Sequence, residues 1–217
     1  MLGELLPLAV AIAISPIPIV TAILLLFTPG ARRASLAFLG GWLAGILGVA
    51  LVALIVAGTA GAGTTDNPST PVSWIKVVLG LVLVGLAVRE WRHRPPSGVP
   101  GPRPTWLATL DHHTPRQAFG LGVWLAALNP KNLPVGLAAG VAIAQGGLSI
   151  VDDIWVLLLF TVVAGSTVLV PVAAYESAAG SMRPRLEHLR EWLEVNNATV
   201  MSVLLLVIGA VLIGRGL

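Results

Sequence analysis

Long apolar runs separated by short polar turns make up nearly the whole chain. A helix needs about 20 predominantly apolar residues to cross a bilayer. The pattern predicts six such spans, at about Leu5–Phe27, Ser35–Ala57, Val72–Val88, Gln117–Ala144, Ile154–Ala174 and Thr199–Ile213. Between the last two, Leu186, Leu189 and Leu193 recur at helical spacing, with Glu187, Arg190, Glu191 and Glu194 elsewhere. That stretch, about 183–197, reads as an amphipathic helix, either on the membrane surface or packed as a cap on the protein. The expected fold is an all-α polytopic membrane protein with six transmembrane helices.

Two of the runs are interrupted. Ser15-Pro16-Ile17-Pro18 breaks the first, and Asn129-Pro130-Lys131-Asn132-Leu133-Pro134 breaks the fourth. A proline inside a helix removes one hydrogen bond and frees the carbonyl four residues earlier. Pro16 and Pro18 thus free groups near Ile12 and Ile14, and Pro130 and Pro134 free groups near Ala126 and Pro130 itself. The first span of each half is broken, and the third carries Gly-x4-Gly, at Gly80/Gly85 and Gly209/Gly214. Halves of three spans each enter the membrane in opposite directions. The pattern therefore predicts an inverted 3+3 repeat with broken helices 1 and 4. Residues 1–90 form one repeat, 91–115 a Pro/Arg-rich loop and 116–217 the second repeat. Gly41, Gly45 and Gly48, with Ala44 four before Gly48, are spaced for close helix packing in span 2. Glycine faces on spans 2, 3 and 6 suit either a homodimer or internal packing.

Composition agrees with the pattern. Of the 217 residues 56% are hydrophobic and 11% charged, with a mean hydropathy of +0.89; a soluble domain carries roughly 25% charged residues. Without cysteine there is no disulfide, thiol catalysis or Cys-based metal site. The sequence pI of about 10.2 points to orientation rather than nucleic acid, because the cations sit at helix ends. Ten fall on one side: Arg32, Arg33, Arg89, Arg92, Arg94, Arg103, Arg116, Arg183, Arg185 and Arg190. The other side holds Lys76 and Arg215 with Glu4, Asp66, Asp152 and Asp153. Positive charge marks the cytoplasmic side, so both termini are expected outside an inner (plasma) membrane. No Lys or Arg precedes the first span, which reads as retained rather than as a signal peptide.

The candidate site is the pair of breaks: Ser15, Pro16, Pro18, Asn129, Pro130, Lys131, Asn132 and Pro134. An ionisable residue at membrane depth marks a functional site by default, and broken backbone there must be buried in protein or line a cavity. Facing breaks would form a small polar chamber in which half-helix N-termini favour anions. Lys131 could pair with an anionic group of a substrate, or exchange a proton during transport. It could also simply hydrogen-bond the freed carbonyls and pin the break. Ser15 divides evenly between lining the chamber and ordinary packing. Asp111-His112-His113 could suggest a metal but lacks a third ligand and reads as a solvated loop. Glu90 and Glu176, at inner helix ends, suit either a gate with the arginines or interfacial charges. No P-loop, GxSxG elbow or metal set is present, and no acid/base pair lies at membrane depth. The chain is thus not expected to be an enzyme or to hold a cofactor, proton or ion coupling aside.

Ser15-Pro16-Ile17-Pro18, the Arg32-Arg33 turn leading to Phe38-Leu39-Gly40-Gly41-Trp42, Asn129-Pro130-Lys131-Asn132-Leu133, and Glu191-Trp192-Leu193 with Asn196-Asn197 follow one another along nearly the whole chain. Together they resemble the GAP/Sap group, the glycopeptidolipid- and sulfolipid-addressing proteins of mycobacteria and relatives, placed in the LysE superfamily of six-span exporters. The superfamily's amino-acid exporters show a Pro-Gly-Pro-like break where this chain has Ser-Pro-Ile-Pro, which favours the GAP group. The resemblance implies an inner-membrane exporter of an envelope lipid or other amphipathic, anionic substrate, with membrane lipids as partners and the breaks as the translocation site. Export of a small solute such as an amino acid or ion is the alternative, as is a non-transporting scaffold for envelope-lipid assembly that uses the Arg/Pro loop.

The orientation has a direct test, since the chain contains no native cysteine. A Ser149→Cys variant should react with a membrane-impermeant maleimide in intact cells, and a Ser97→Cys variant only after the cells are opened.

Overall fold

The computed structural model describes residues 2–28, 30–59, 70–96 and 114–216. Among these residues every regular element is a helix: α1 (Leu2–Ala13), α2 (Pro16–Leu26), α3 (Ala31–Thr59), α4 (Thr70–Arg92), α5 (Pro115–Ala127), α6 (Asn132–Ala144), α7 (Ile150–Ala178) and α8 (Ser181–Gly214). The non-helical Ala178, at φ −152° and ψ 52°, separates the last two. α3, α7 and α8 are each long and apolar enough to cross a membrane, and α1–α2 pass together as a fourth span bent by 50°. The chain is a membrane protein.

The prolines begin helices as much as they interrupt them. The first turn of a helix has no intrahelical partner for its N–H groups, so a proline there loses nothing. Pro16 occupies the first position of α2 and Pro18 the third, and Pro134 is the third residue of α6. Ser15, before Pro16, is extended at φ −99° and ψ 105°, the conformation a following proline favours. The fourth run starts at Pro115, two residues ahead of the expected Gln117. Thr114 caps it through a reciprocal box, with Gln117 N–H donating to Thr114 Oγ1 at 3.3 Å and Thr114 N–H to Gln117 Oε1 at 2.8 Å.

Packing is paired. α3 lies along α5 and α6, α4 along α8, and α7 meets α1 at Thr167 and the end of α2 at Tyr175. Helices in a membrane associate through close van der Waals contact rather than a hydrophobic drive, and glycines permit it here. A Cβ on Gly41 would collide with the Phe119 carbonyl, and one on Gly122 with the Phe38 carbonyl, so α3 and α5 touch backbone to backbone. Gly45 meets Ala126 and Val123 on the same seam. Gly48, expected to join this face, looks into open space, and Ala44 is exposed; α5 follows the Gly41/Gly45 stripe, a helical turn apart. Between α4 and α8, Gly80 and Gly209 abut one another, each placing a would-be Cβ within 2.8 Å of the other's carbonyl oxygen. They are the first glycines of the two Gly-x4-Gly pairs, whose second members, Gly85 and Gly214, face open space.

The stretch expected as a separate amphipathic helix, about 183–197, is the first half of α8. Its helix does not end at 197, because no glycine or proline occurs between Arg185 and Ile208 to stop it. Leu186 and Leu193 are buried, whereas Leu189 and Trp192 are exposed. At one end of the molecule Arg32 pairs with Glu176 at 3.0 Å, Phe27 packs on Tyr175, and the Arg183 guanidinium lies 5.0 Å above the Phe27 ring. These contacts gather the ends of α2, α3 and α7 with the start of α8. The Arg32 side chain is 79% exposed, so the ion pair itself adds little stability. Asp111-His112-His113 lies outside the described residues.

Gly209→Leu should overpack the α4–α8 seam at a cost of about 1–3 kcal/mol, read as a lower melting temperature in detergent. Gly85→Leu, facing open space, should leave it unchanged.

Candidate functional site

The two broken spans meet, and the residues of their breaks bond one another directly. Ser15, Lys131 and Asn132 are all at most 2% exposed. The Lys131 ammonium donates to the Ile14 carbonyl at 3.1 Å and to Ser15 Oγ at 2.9 Å. Ser15 Oγ donates onward to Asn132 Oδ1 at 3.1 Å, and Asn132 Nδ2 to the Leu125 carbonyl at 3.1 Å. A continuous chain of hydrogen bonds thus runs from the end of α1, through the start of α6, back to α5. Ile14 is four residues before Pro18, so its carbonyl is one of those the prolines were expected to free. Lys131 takes it up.

Each partner has a local cause. Ser15 must be extended before Pro16, which turns its hydroxyl out of the helix and away from its own backbone. Asn129 Oδ1 accepts from the Lys131 backbone N–H at 3.0 Å, and its carbonyl accepts from the Leu133 N–H at 3.0 Å. This Asx-type turn sets the break and carries Lys131 across to α1. The ammonium lies beyond the C-terminal end of α1, where exposed carbonyls make a cation welcome.

Of the eight residues expected at the site, Ser15, Pro16, Pro18, Lys131, Asn132 and Pro134 are buried together, Asn129 is half-buried and Pro130 exposed. Two expectations change. The breaks are bonded across rather than facing each other over an enclosed chamber; the free space lies beside them. The half-helix N-termini also offer an anion few donors. Pro16, Pro18 and Pro134 have no N–H, and the N–H groups of Ile19 and Leu133 already donate to Ser15 and Asn129. At the breaks themselves the cationic group is therefore the Lys131 side chain and not a helix N-terminus.

The free space is a pocket of about 490 Å³, within the usual range for ligand sites. Asn129, Pro130 and Lys131 form its polar floor, Arg89 and Glu90 stand at the end of α4, and Trp124, Leu128 and Leu205 are among its apolar walls. Among the described residues the ammonium itself is held by neutral oxygens only. Glu90 lies in the pocket, whereas Glu176 is bound to Arg32.

Thr167 is a member that sequence reasoning missed. From α7 its hydroxyl donates to the Ala13 carbonyl, the neighbour of the one held by Lys131. Nothing in the sequence separates it from Thr21, Thr161 or Ser166, whose hydroxyls bond their own helices at Ile17, Leu157 and Val163. Arg89, which the sequence offers as an orientation charge or as a gate partner of Glu90, lines the pocket as well.

The family model for Sap, sulfolipid-1-addressing protein, matches residues 5–217. The chain belongs to the Sap family. The matched segment takes in both breaks, the pocket and the Thr167 contact. No curated protein and no solved structure matches the chain.

In this Sap-family chain Ser15 is the centre of the bridge, so Ser15→Ala should leave the buried Lys131 and Asn132 each short of a partner. The expected cost is about 1–3 kcal/mol, seen in thermal unfolding. Ser166→Ala, which removes only a hydroxyl bonded within its own helix, should shift the transition much less.

Proposed function

We propose that the protein is an exporter of the LysE-superfamily type that moves an anionic, amphipathic envelope lipid across the inner membrane by alternating access around Lys131. The observation that carries this reading is the position of that side chain. One lysine, buried at the meeting point of two broken helices and bonded to neutral oxygens, lines a pocket that combines cationic and apolar surface. An ammonium has three N–H donors and two are used, leaving one for an anionic oxygen. The apolar walls and Arg89 extend the same recognition to a molecule with a charged head and a greasy body. The family's name refers to addressing of sulfolipid-1, a cargo of that chemical kind.

Six spans in an inverted 3+3 repeat form part of this proposal. Exchange of the two halves would map α1–α2 onto α5–α6, α3 onto α7 and α4 onto α8. The helix contacts support such an exchange, since α3 packs on α5–α6, α7 meets α1 and the end of α2, and Gly80 and Gly209 lie against each other. Both termini lie outside in this reading, by the distribution of Arg. Transport then proceeds by breaking and remaking the bridge between the halves, with the lipid headgroup taking the place of Ile14 and Ser15 at the ammonium.

Replacing Lys131 by Gln or Ala removes a charge-assisted contact worth about 1.5–3 kcal/mol, which is on the order of tenfold or more in headgroup affinity. Export measured by lipid analysis of the envelope should fall to the level of the gene deletion while the variants remain folded and inserted. Folded Lys131 variants that keep full export would sink the proposal.

A further inference from the structure

A second opening lies on the other face of the same two helices. A groove of about 370 Å³ is lined by Ala87, Val88 and Trp91 of α4 and by Ser202, Val203 and Leu206 of α8. The charged pocket is lined by Leu86, Arg89 and Glu90 of α4 and by Met201 and Leu205 of α8. At 100° per residue these two sets occupy opposite faces of each helix. The same stretch of the α4–α8 seam thus has a cationic pocket on its inner side and an apolar groove on its outer side. Val88, Trp91, Val203 and Leu206 are each about half exposed, so the groove opens outward, toward lipid in a membrane. Two of the residues that line the groove, Ala87 and Ser202, are small and buried. Tight contact between the helices lies about two turns away, at Gly80 and Gly209.

We propose that this end of the α4–α8 seam is a lateral portal for the lipid. The headgroup sits in the pocket against Lys131 and Arg89, and an acyl chain of the same molecule passes between the helices into the apolar groove. The occupant follows from the two spaces taken together, because a molecule that fills both must be anionic at one end and apolar at the other. A soluble anion would leave the groove empty, and a neutral lipid would have no use for the pocket. The inference rests on the proposed lipid export and adds the route by which the lipid enters and where its chain lies.

The test uses the full-length wild-type protein in lipid nanodiscs and an anionic phosphatidylglycerol carrying a photoreactive diazirine in its acyl chain. Crosslinks mapped by mass spectrometry should fall on Val88, Trp91, Val203 and Leu206, and a phosphatidylcholine probe of the same chain should label them much less. Dihexanoyl phosphatidylglycerol, whose chains are too short to hold the groove, should compete from the pocket alone. At ten times its dissociation constant it should lower groove labelling about tenfold by mass action. Equal labelling by both probes, or labelling that the short lipid does not displace although it binds, would show ordinary boundary lipid in the groove and overturn the portal. Short-lipid binding that is unaltered in Lys131→Gln and Arg89→Gln would instead overturn the lipid-headgroup reading beneath it.

Discussion

A buried ammonium has to be satisfied, and the centre of this molecule is arranged to satisfy one. A charge near the middle of a membrane helix costs on the order of 2.5–3.5 kcal/mol even on insertion scales. A hydrogen bond to a charged group returns about 1.5–3 kcal/mol, so the two that Lys131 makes, to Ile14 and Ser15, are of the size needed to offset it. Both acceptors exist only because α1–α2 is broken at Ser15-Pro16. The lysine can reach them only because α5–α6 is broken at Asn129-Pro130. Neither break is stable in hydrocarbon without the other, and together they lock the two halves of the chain at one point.

The remaining architecture brings that point about. Backbone contact at Gly41 and Gly122 holds α3 against α5, and the Thr167 hydroxyl anchors α7 to the end of α1. The contact between Gly80 and Gly209 holds α4 against α8. These contacts are steric and local, so they position the breaks without drawing on burial of apolar surface, which gains little inside a bilayer. A hydrogen-bonded link between rigid packed elements is also the kind of connection that can adopt two discrete arrangements. Breaking it exposes unsatisfied groups on both sides at once, and such groups need a replacement partner. A substrate headgroup could be that partner, which ties the energetics of the bridge to the proposed transport.

Helical class, the membrane setting, the two breaks and a lysine placed at one of them were legible in the sequence. Each follows from local chemistry: apolar length fixes a span, proline fixes a helix start, and a lone lysine in an apolar run needs a reason. Pairing was not legible. Gly41 and Gly48 look alike along the chain, yet one meets a carbonyl and the other open space. Thr167 and Thr161 are the same residue in the same helix, yet one reaches across to α1 and the other bonds its own backbone. The helix that holds 183–197 runs on through the rest of α8 because the sequence contains no stop there, a feature that the change from polar to apolar composition concealed.

What the residues determined alone is therefore a set of local constraints: where helices begin, where they must break, and which groups the breaks leave unsatisfied. What only the tertiary structure decided is who satisfies them. Lys131 bonds Ile14 and Ser15, more than a hundred residues away in the chain, and this contact depends on the angle and register at which two bent helices pack. That register is set by the summed shape of glycine seams on several helices, and no single stretch of sequence contains it. The same holds for the pocket, whose lining comes from α2, α4, α5 and α8 and meets around Asn129–Lys131.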